Sequence, residues 1–238
     1  MCIYSALLEP RARRTDSVFR KNEKLPVPFA VDAPWKWWSL GEELSFRVIL
    51  LGKARSYRES IEKSLLFAFA KGAGKEGWRK GLVSNGWKNL EASSLVSDFR
   101  DDTKKGTKRC VQMRMMTPLR LVRKKRELRS FDFLSLVRDL SFRISVWGSL
   151  HQGQPWPPVW WFLFEEAKTV RVSRVDVRGI TFARFSSRQK RVIPMQGLVG
   201  EVELENLTPS LFLLLRMGEV SGSGKGSSIG LGRIKACS

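Results

Sequence analysis

The chain has 238 residues with 43 Lys and Arg against 23 Asp and Glu, a net charge of +20 and a pI near 10.5. A hydrophobic fraction of 42% argues against global disorder and suits one large domain or two of about 100 residues each. The charge surplus attracts polyanions, nucleic acid first among them, while no apolar run approaches the roughly 20 residues of a membrane span and the N-terminus lacks a secretory pattern.

Residues 1–34 are rich in Pro and Arg, and "KLPVPFAVDAP" is expected to be extended because proline fixes φ and restricts its predecessor. "ELSFRVILLG" (43–52) reads as a strand. "YRESIEKSLLFAFAKG" (57–72) reads as a helix, with Ile61, Leu65, Leu66 and Phe69 at helical spacing. "GAGKEGWRKG" is a basic loop, "KNLEASSLVS" a returning strand, and lysine-rich 101–109 the domain boundary, giving domains 1–108 and 109–238.

The second half has a clearer rhythm. "CVQMRMMTPLRL" (110–121) alternates as a strand does, "VRKKRELRS" is a basic loop, and Ser130 is a candidate cap for the helix that follows. That helix runs to Leu150 with Phe131, Leu134, Val137, Ile144 and Trp147 at helical spacing, and "WPPVWWFLFEEA" then reads as irregular. Strands are expected at 168–185 and 197–207, then a helix at 208–220 with Thr208 as cap and Pro209 in its first position, then a last strand in "GLGRIKAC". The order β-α-β-β-α-β is the ferredoxin-like plan, and the class is α+β.

"GEVSGSGKGSSIGLGRIKA" (218–236) tempts a nucleotide reading and fails it. A P-loop needs glycine where Glu219 stands and Ser or Thr where Gly226 stands, and no helix follows the glycines. As the connection between helix and last strand it can instead follow a nucleic-acid backbone, with Gly224, Lys225, Gly226 and Ser227 as contacts, since glycine amides approach an anion closely. Further candidates are Arg184, Arg188, Lys190 and Arg191 in and after "RFSSRQ", and Arg123, Lys124 and Lys125 in the basic loop, each of which could equally be a solvated charge run.

The single histidine, His151, suits acid–base chemistry or a cation at a helix end, and Tyr4 and the lysines are alternative carriers of such chemistry. Lys225 is a second catalytic candidate. Trp147 reads as core. Trp35, Trp37, Trp38, Trp156, Trp160 and Trp161 could stack bases, although packing is the commoner use of such clusters. Cys2, Cys110 and Cys237 form no CxxC pair, and Asp101-Asp102, Glu42-Glu43 and Glu165-Glu166 are sequence neighbours that face opposite ways on a strand. No metal, no cofactor and a reducing, cytoplasmic setting are therefore expected.

Taken in order, "MTPLRL", "FDFLSLVRDLSFRISVWGSLHQG", "FARFSSRQKRVIPMQGLVGEVE" and "LTPSLFLLLRMGEVSGSGKGSSIGLGR" resemble the C-terminal module of the repeat-RNA endoribonucleases known as CRISPR-associated protein six, of the RAMP superfamily. "CIYSALLEP", "LPVPFAVDAP" and "GEELSFRVILLGKA" resemble the family's middle segments. The resemblance implies tandem ferredoxin-like (RRM-like) domains that bind CRISPR repeat RNA, often as a hairpin. It also implies metal-independent cleavage by 2′-hydroxyl attack and retention in an effector complex with other subunits. Family members usually begin with a further strand and helix before the segment matching "CIYSALLEP", where the catalytic histidine commonly lies, so the first domain reads as incomplete. A non-cleaving subunit that holds the guide RNA 3′ end is the alternative, and a general basic RNA-binding protein fits the charge but not the paired motifs.

Overall fold

Alternation in "CVQMRMMTPL" becomes a strand whose Val111, Met113 and Met115 are buried while Cys110, Arg114 and Met116 face out, the period of two that a pleat imposes. A computed structural model describes residues 28–36, 42–43, 45–70, 86, 88, 110–151, 160–186, 189 and 191–237. The strand expected at 88–97 (Lys88 aside) and the loops at 72–81 and 101–109 lie outside these residues, as do Trp37, Trp38, Trp156, Arg188 and Lys190.

In chain order the elements are β1 (Phe29–Asp32), β2 (Arg47–Leu50), a 3-10 turn (Gly52–Tyr57), α1 (Arg58–Ala70), β3 (Cys110–Leu119), β4 (Val122–Arg123), β5 (Arg126–Glu127), α2 (Phe133–His151), α3 (Trp160–Thr169), β6 (Arg171–Ser186), β7 (Arg191–Glu205), α4 (Pro209–Ser221), a 3-10 turn (Ser227–Ile229) and β8 (Ile234–Cys237). β6-β7-β3-β8 form one antiparallel sheet, the strand order of a ferredoxin-like unit. α2 and α4 cover one face. Leu136, Leu140, Leu211, Leu215, Leu198 and Leu204 are almost fully buried there, each contributing about 2 kcal/mol of transfer free energy.

The opposite face of the sheet carries a charge ladder. Glu201, Glu203 and Glu205 on β7 meet Arg114 at 3.1 Å, Arg174 at 3.9 Å and Arg171 at 4.0 Å. β3 pairs with β7 only as far as Leu119↔Leu198, whereas β6 and β7 stay paired to Ser186↔Arg191, so their far half extends beyond β3 as a two-stranded ribbon. In the N-terminal part, β1 and β2 pair antiparallel and share a core of Phe29, Val31, Ile61 and Leu65 with α1.

Thr208 caps α4 as expected, accepting the Leu211 N–H at 3.3 Å while its own hydroxyl donates to Glu166 of α3. Several local expectations change. Helix α2 begins at Phe133, directly after Asp132, which accepts the Leu136 N–H on its carbonyl and the Ser135 hydroxyl on its carboxylate; Ser130 lies too early to cap it. Leu134 is exposed, and the buried stripe is Leu136, Val137, Leu140 and Ile144.

Residues 160–169, expected to be irregular, are helix α3: Leu163 and Ala167 face the core and Lys168 bonds Glu165 at 2.6 Å, while the exposed Trp161 and Phe162 erase the polar contrast that periodicity needs. The basic loop is a two-residue hairpin. Lys124 and Lys125 at its tip have φ 47 and 64, left-handed values that cost a side-chain-bearing residue about 1 kcal/mol each.

Candidate nucleic-acid interface

The loop from Gly222 to Arg233 is ordered by its own backbone. Ser223 N–H bonds Gly232 O at 2.7 Å, Gly232 N–H bonds Pro118 O at 2.9 Å, and Lys225 N–H bonds Arg120 O at 2.8 Å. Gly224 N–H bonds the Asp139 carboxylate at 2.6 Å. The glycines are needed for this packing: a Cβ on Gly224 would stand 2.5 Å from Arg120 O. The Gly224 and Lys225 amides, candidates for contact with an anion, thus both have partners within the protein.

Arg143 locks the loop from the side of α2. Only 6% exposed, it donates through Nη1 to Ser227 Oγ at 2.7 Å and through Nη2 to Gly224 O. Its guanidinium lies 3.8 Å from Asp139 and 5.8 Å from the centre of the Trp147 ring. Burial pulls the guanidinium pKa down, and the Asp139 carboxylate pushes it back up. Ser227 is thus turned inward with its hydroxyl engaged, and Gly226 supplies its carbonyl to the amides of Ile229 and Leu231. Of this stretch, the Lys225 side chain is what faces outward.

Neither Arg143 nor Asp139 stood out in the sequence. Their i,i+4 spacing on a helix was the available signal, but it does not distinguish a buried pair from a solvated one. Arg120 was missed for the same reason. Its side chain, 11% exposed, pairs with Glu127 of β5, and its Nε donates to Gln196 O at 3.1 Å.

The other candidates divide into two groups. Arg123, Lys124 and Lys125 are exposed on the small hairpin, with Arg123 3.8 Å from Asp132, and Arg120 joins that hairpin to the loop carrying Lys225. Arg184 is half-buried and Arg191 exposed, both towards the far end of the ribbon, where Arg191 Nε donates to Gln189 at 2.9 Å. His151 closes α2, and its side chain lies outside the description. Trp147 is buried as expected. Trp35 is 46% exposed and meets Phe182 of the ribbon edge-on at 5.1 Å, and Trp161 stacks on Phe162 at 3.5 Å.

Asp32, buried on β1, accepts Arg47 across the strand pair and Arg233 at 2.5 Å, which ties β1 to the end of the glycine-rich loop. Among the described residues, no three His, Cys, Asp or Glu side chains gather as metal ligands, and no helix is long and apolar enough to cross a membrane.

The strands, helices and loop just described coincide with a family match. The model of the CRISPR-associated endoribonuclease Cas6 matches residues 113–234, just over half of the chain. The chain belongs to the Cas6 family. A second family model, described as an N-terminal domain, matches residues 1–97, and no curated protein matches in sequence. Among solved structures, a Cas6 product complex gives a TM-score of 0.63 at 17% identity, covering 99% of this chain and 91% of that one.

Thermus thermophilus Cas6 gives 0.57 at 16% identity over 99% and 87% of the two chains. A partial Cas6-RT-Cas1–Cas2 complex gives 0.57 at 14% identity, over 88% of this chain and 38% of the other. At these identities the likeness carries the fold, which is α+β with tandem ferredoxin-like domains as in Cas6. The family resemblance of the quoted motifs is borne out, and the family to which the chain belongs is one of CRISPR-associated, RNA-cleaving enzymes.

Proposed function

We propose that this Cas6-family protein binds CRISPR repeat RNA and cuts the precursor transcript into guide RNAs without a metal. The observation that carries this reading is the Cas6 match over the residues that build the Lys225 loop and its Arg143 lock. In the reaction the ribose 2′-oxygen gives its proton to a base and bonds to the adjacent phosphorus. The P–O5′ bond breaks, and the leaving oxygen takes a proton from an acid, giving a 2′,3′-cyclic phosphate and a 5′-hydroxyl. Such a step needs a base, an acid and cations against the crowded phosphate charge.

His151, the single histidine, is the proposed proton carrier at the end of α2. Lys225 is the proposed cation, with Arg123, Lys124, Lys125, Arg184, Arg188, Lys190 and Arg191 gripping the RNA backbone. Gly224, Gly226 and Ser227 hold that loop in shape. A boundary near residue 108 would separate the two RNA-binding domains. The likeness to an assembly containing RT, Cas1 and Cas2 supports docking on other CRISPR subunits, and the protein would stay on its product there.

Cleavage of the repeat RNA of the protein's own array, in EDTA, tests this reading, with product ends mapped for the cyclic phosphate. One cut site in wild type and at least a hundredfold slower cutting by His151→Ala are expected, as general acid–base catalysis contributes roughly that much. Tight binding without cutting would favour the subunit that only holds the guide RNA 3′ end. For the loop, Lys225→Ala is expected to weaken binding by the same factor across unrelated RNA sequences and to lower the slope of log K against log salt by about 1. An unchanged slope rules Lys225 out as a phosphate contact.

A further inference from the structure

Local forces work against the β4–β5 hairpin. It has two cross-strand pairs, Val122↔Glu127 and Arg123↔Arg126, and a lone two-stranded hairpin is marginal in water. The second pair sets like charges opposite one another. The tip places Lys124 and Lys125 in the left-handed region, where Asn and Gly are the residues that fit. Strained backbone persists only where the surroundings over-determine it.

Arg120 supplies that determination. Its guanidinium is largely buried and donates to the Glu127 carboxylate, so the second strand of the hairpin is held to the body of the fold. Its Nε donates to Gln196 O at 3.1 Å, next to Gly197, where a Cβ would meet Pro118 Cβ at 2.8 Å and Arg120 Cγ at 3.3 Å. Leu128 N–H bonds Leu121 O at 2.9 Å, closing the base of the hairpin. The carbonyl of the same arginine receives the Lys225 N–H. One residue therefore joins the lysine tip, β7 and the glycine-rich loop.

We propose that the Arg120–Glu127 pair is a positioning device that presents Lys124 and Lys125, together with Lys225 whose amide bonds the Arg120 carbonyl, as one phosphate-binding surface for an RNA backbone. This rests on the RNA-binding reading above and adds to it a residue pair that touches no RNA. Glu127 is the telling member. A carboxylate on the hairpin of a protein with net charge +20 repels RNA, so its direct effect on binding is adverse. As the clamp of the hairpin its effect is favourable. The two roles predict opposite signs for the same substitution.

The experiment measures binding of the full chain to the repeat RNA of its own array, over a range of salt concentrations, by fluorescence anisotropy. Glu127→Ala raises the net charge by one, yet is expected to weaken binding about fivefold because the hairpin loses the acceptor that anchors it to Arg120. Unchanged or tighter binding overturns the proposal. Lys124→Asn with Lys125→Gly keeps the turn in residues that prefer it while removing both charges. This variant is expected to raise Tm and to flatten the salt slope by roughly 1.5. An unchanged slope overturns the role of the tip.

Hydrogen exchange at the Leu128 amide, with no RNA present, reads the clamp by itself. Faster exchange in Glu127→Ala is expected, and unchanged protection overturns the positioning role. Failure of wild type to bind the repeat RNA would overturn the RNA reading, while the exchange result would still decide the clamp.

Discussion

Alanine at Gly232 is expected to destabilise the protein by about 4 kcal/mol, far more than alanine at Gly230. Both glycines are left-handed, with φ +70 and +85, and that alone costs an alanine about 1 kcal/mol. Their surroundings differ. A Cβ on Gly232 would lie 1.6 Å from Ser223 O, a separation at which the backbone must move. It is poorly placed to move, because Gly232 bonds Ser223 through its carbonyl and Pro118 through its amide, and Arg233 O accepts the amides of Met116 and Thr117. Around Gly230 the nearest atom is Val31 O at 3.9 Å, ordinary contact. Urea unfolding of the two variants separates conformational strain from collision. A loss of about 1 kcal/mol at Gly230 and about 4 at Gly232 is the expected pair, and equal losses would remove the collision from the account.

What was legible in the sequence was whatever leaves a periodic or punctuated trace. Val111, Met113 and Met115 alternate with outward residues, so β3 could be read directly. Thr208 followed by Pro209 marks the start of α4 because an N-cap acceptor and a residue without N–H suit the same end of a helix. Helix α3 left no such trace: its first residues are all apolar, although Trp161 and Phe162 face solvent. The basic loop could be recognised as basic but not as a hairpin, since Lys-Lys is the wrong pair for that turn.

The glycine-rich loop shows a different limit. Its glycines looked like a way to bring amides to a phosphate, yet Gly224 is glycine because Arg120 O crosses it, and its amide serves Asp139. Composition identifies positions that tolerate no side chain. It does not say whether the space is kept for a ligand or filled by the protein. Arg120, Asp139 and Arg143 went unnoticed because a buried charge and a solvated one are the same letter, and only tertiary neighbours distinguish them.

Arg143→Met is the second large effect expected, about 3 kcal/mol of lost stability together with a loosened loop. The size follows from what the substitution leaves behind. Replacing a buried ion pair by apolar groups can be neutral when every partner is removed with it. Here the partners stay: Ser227 Oγ and Gly224 O lose their donors, and Asp139 keeps the Gly224 amide but loses the neighbouring guanidinium. Arg143→Lys should recover only part of the loss, because one ammonium cannot match the planar fork that reaches both Ser227 and Gly224. Urea unfolding gives the stability of each variant, and a loss below about 1 kcal/mol for methionine would mean that Arg143 does not hold the loop. Combining each variant with Lys225→Ala then connects stability to function. If Arg143 acts on RNA through the loop, removing Lys225 should matter less once the lock is gone, so the two losses in affinity add to less than their sum. Full additivity would separate the lock from the lysine and leave Arg143 a purely structural residue.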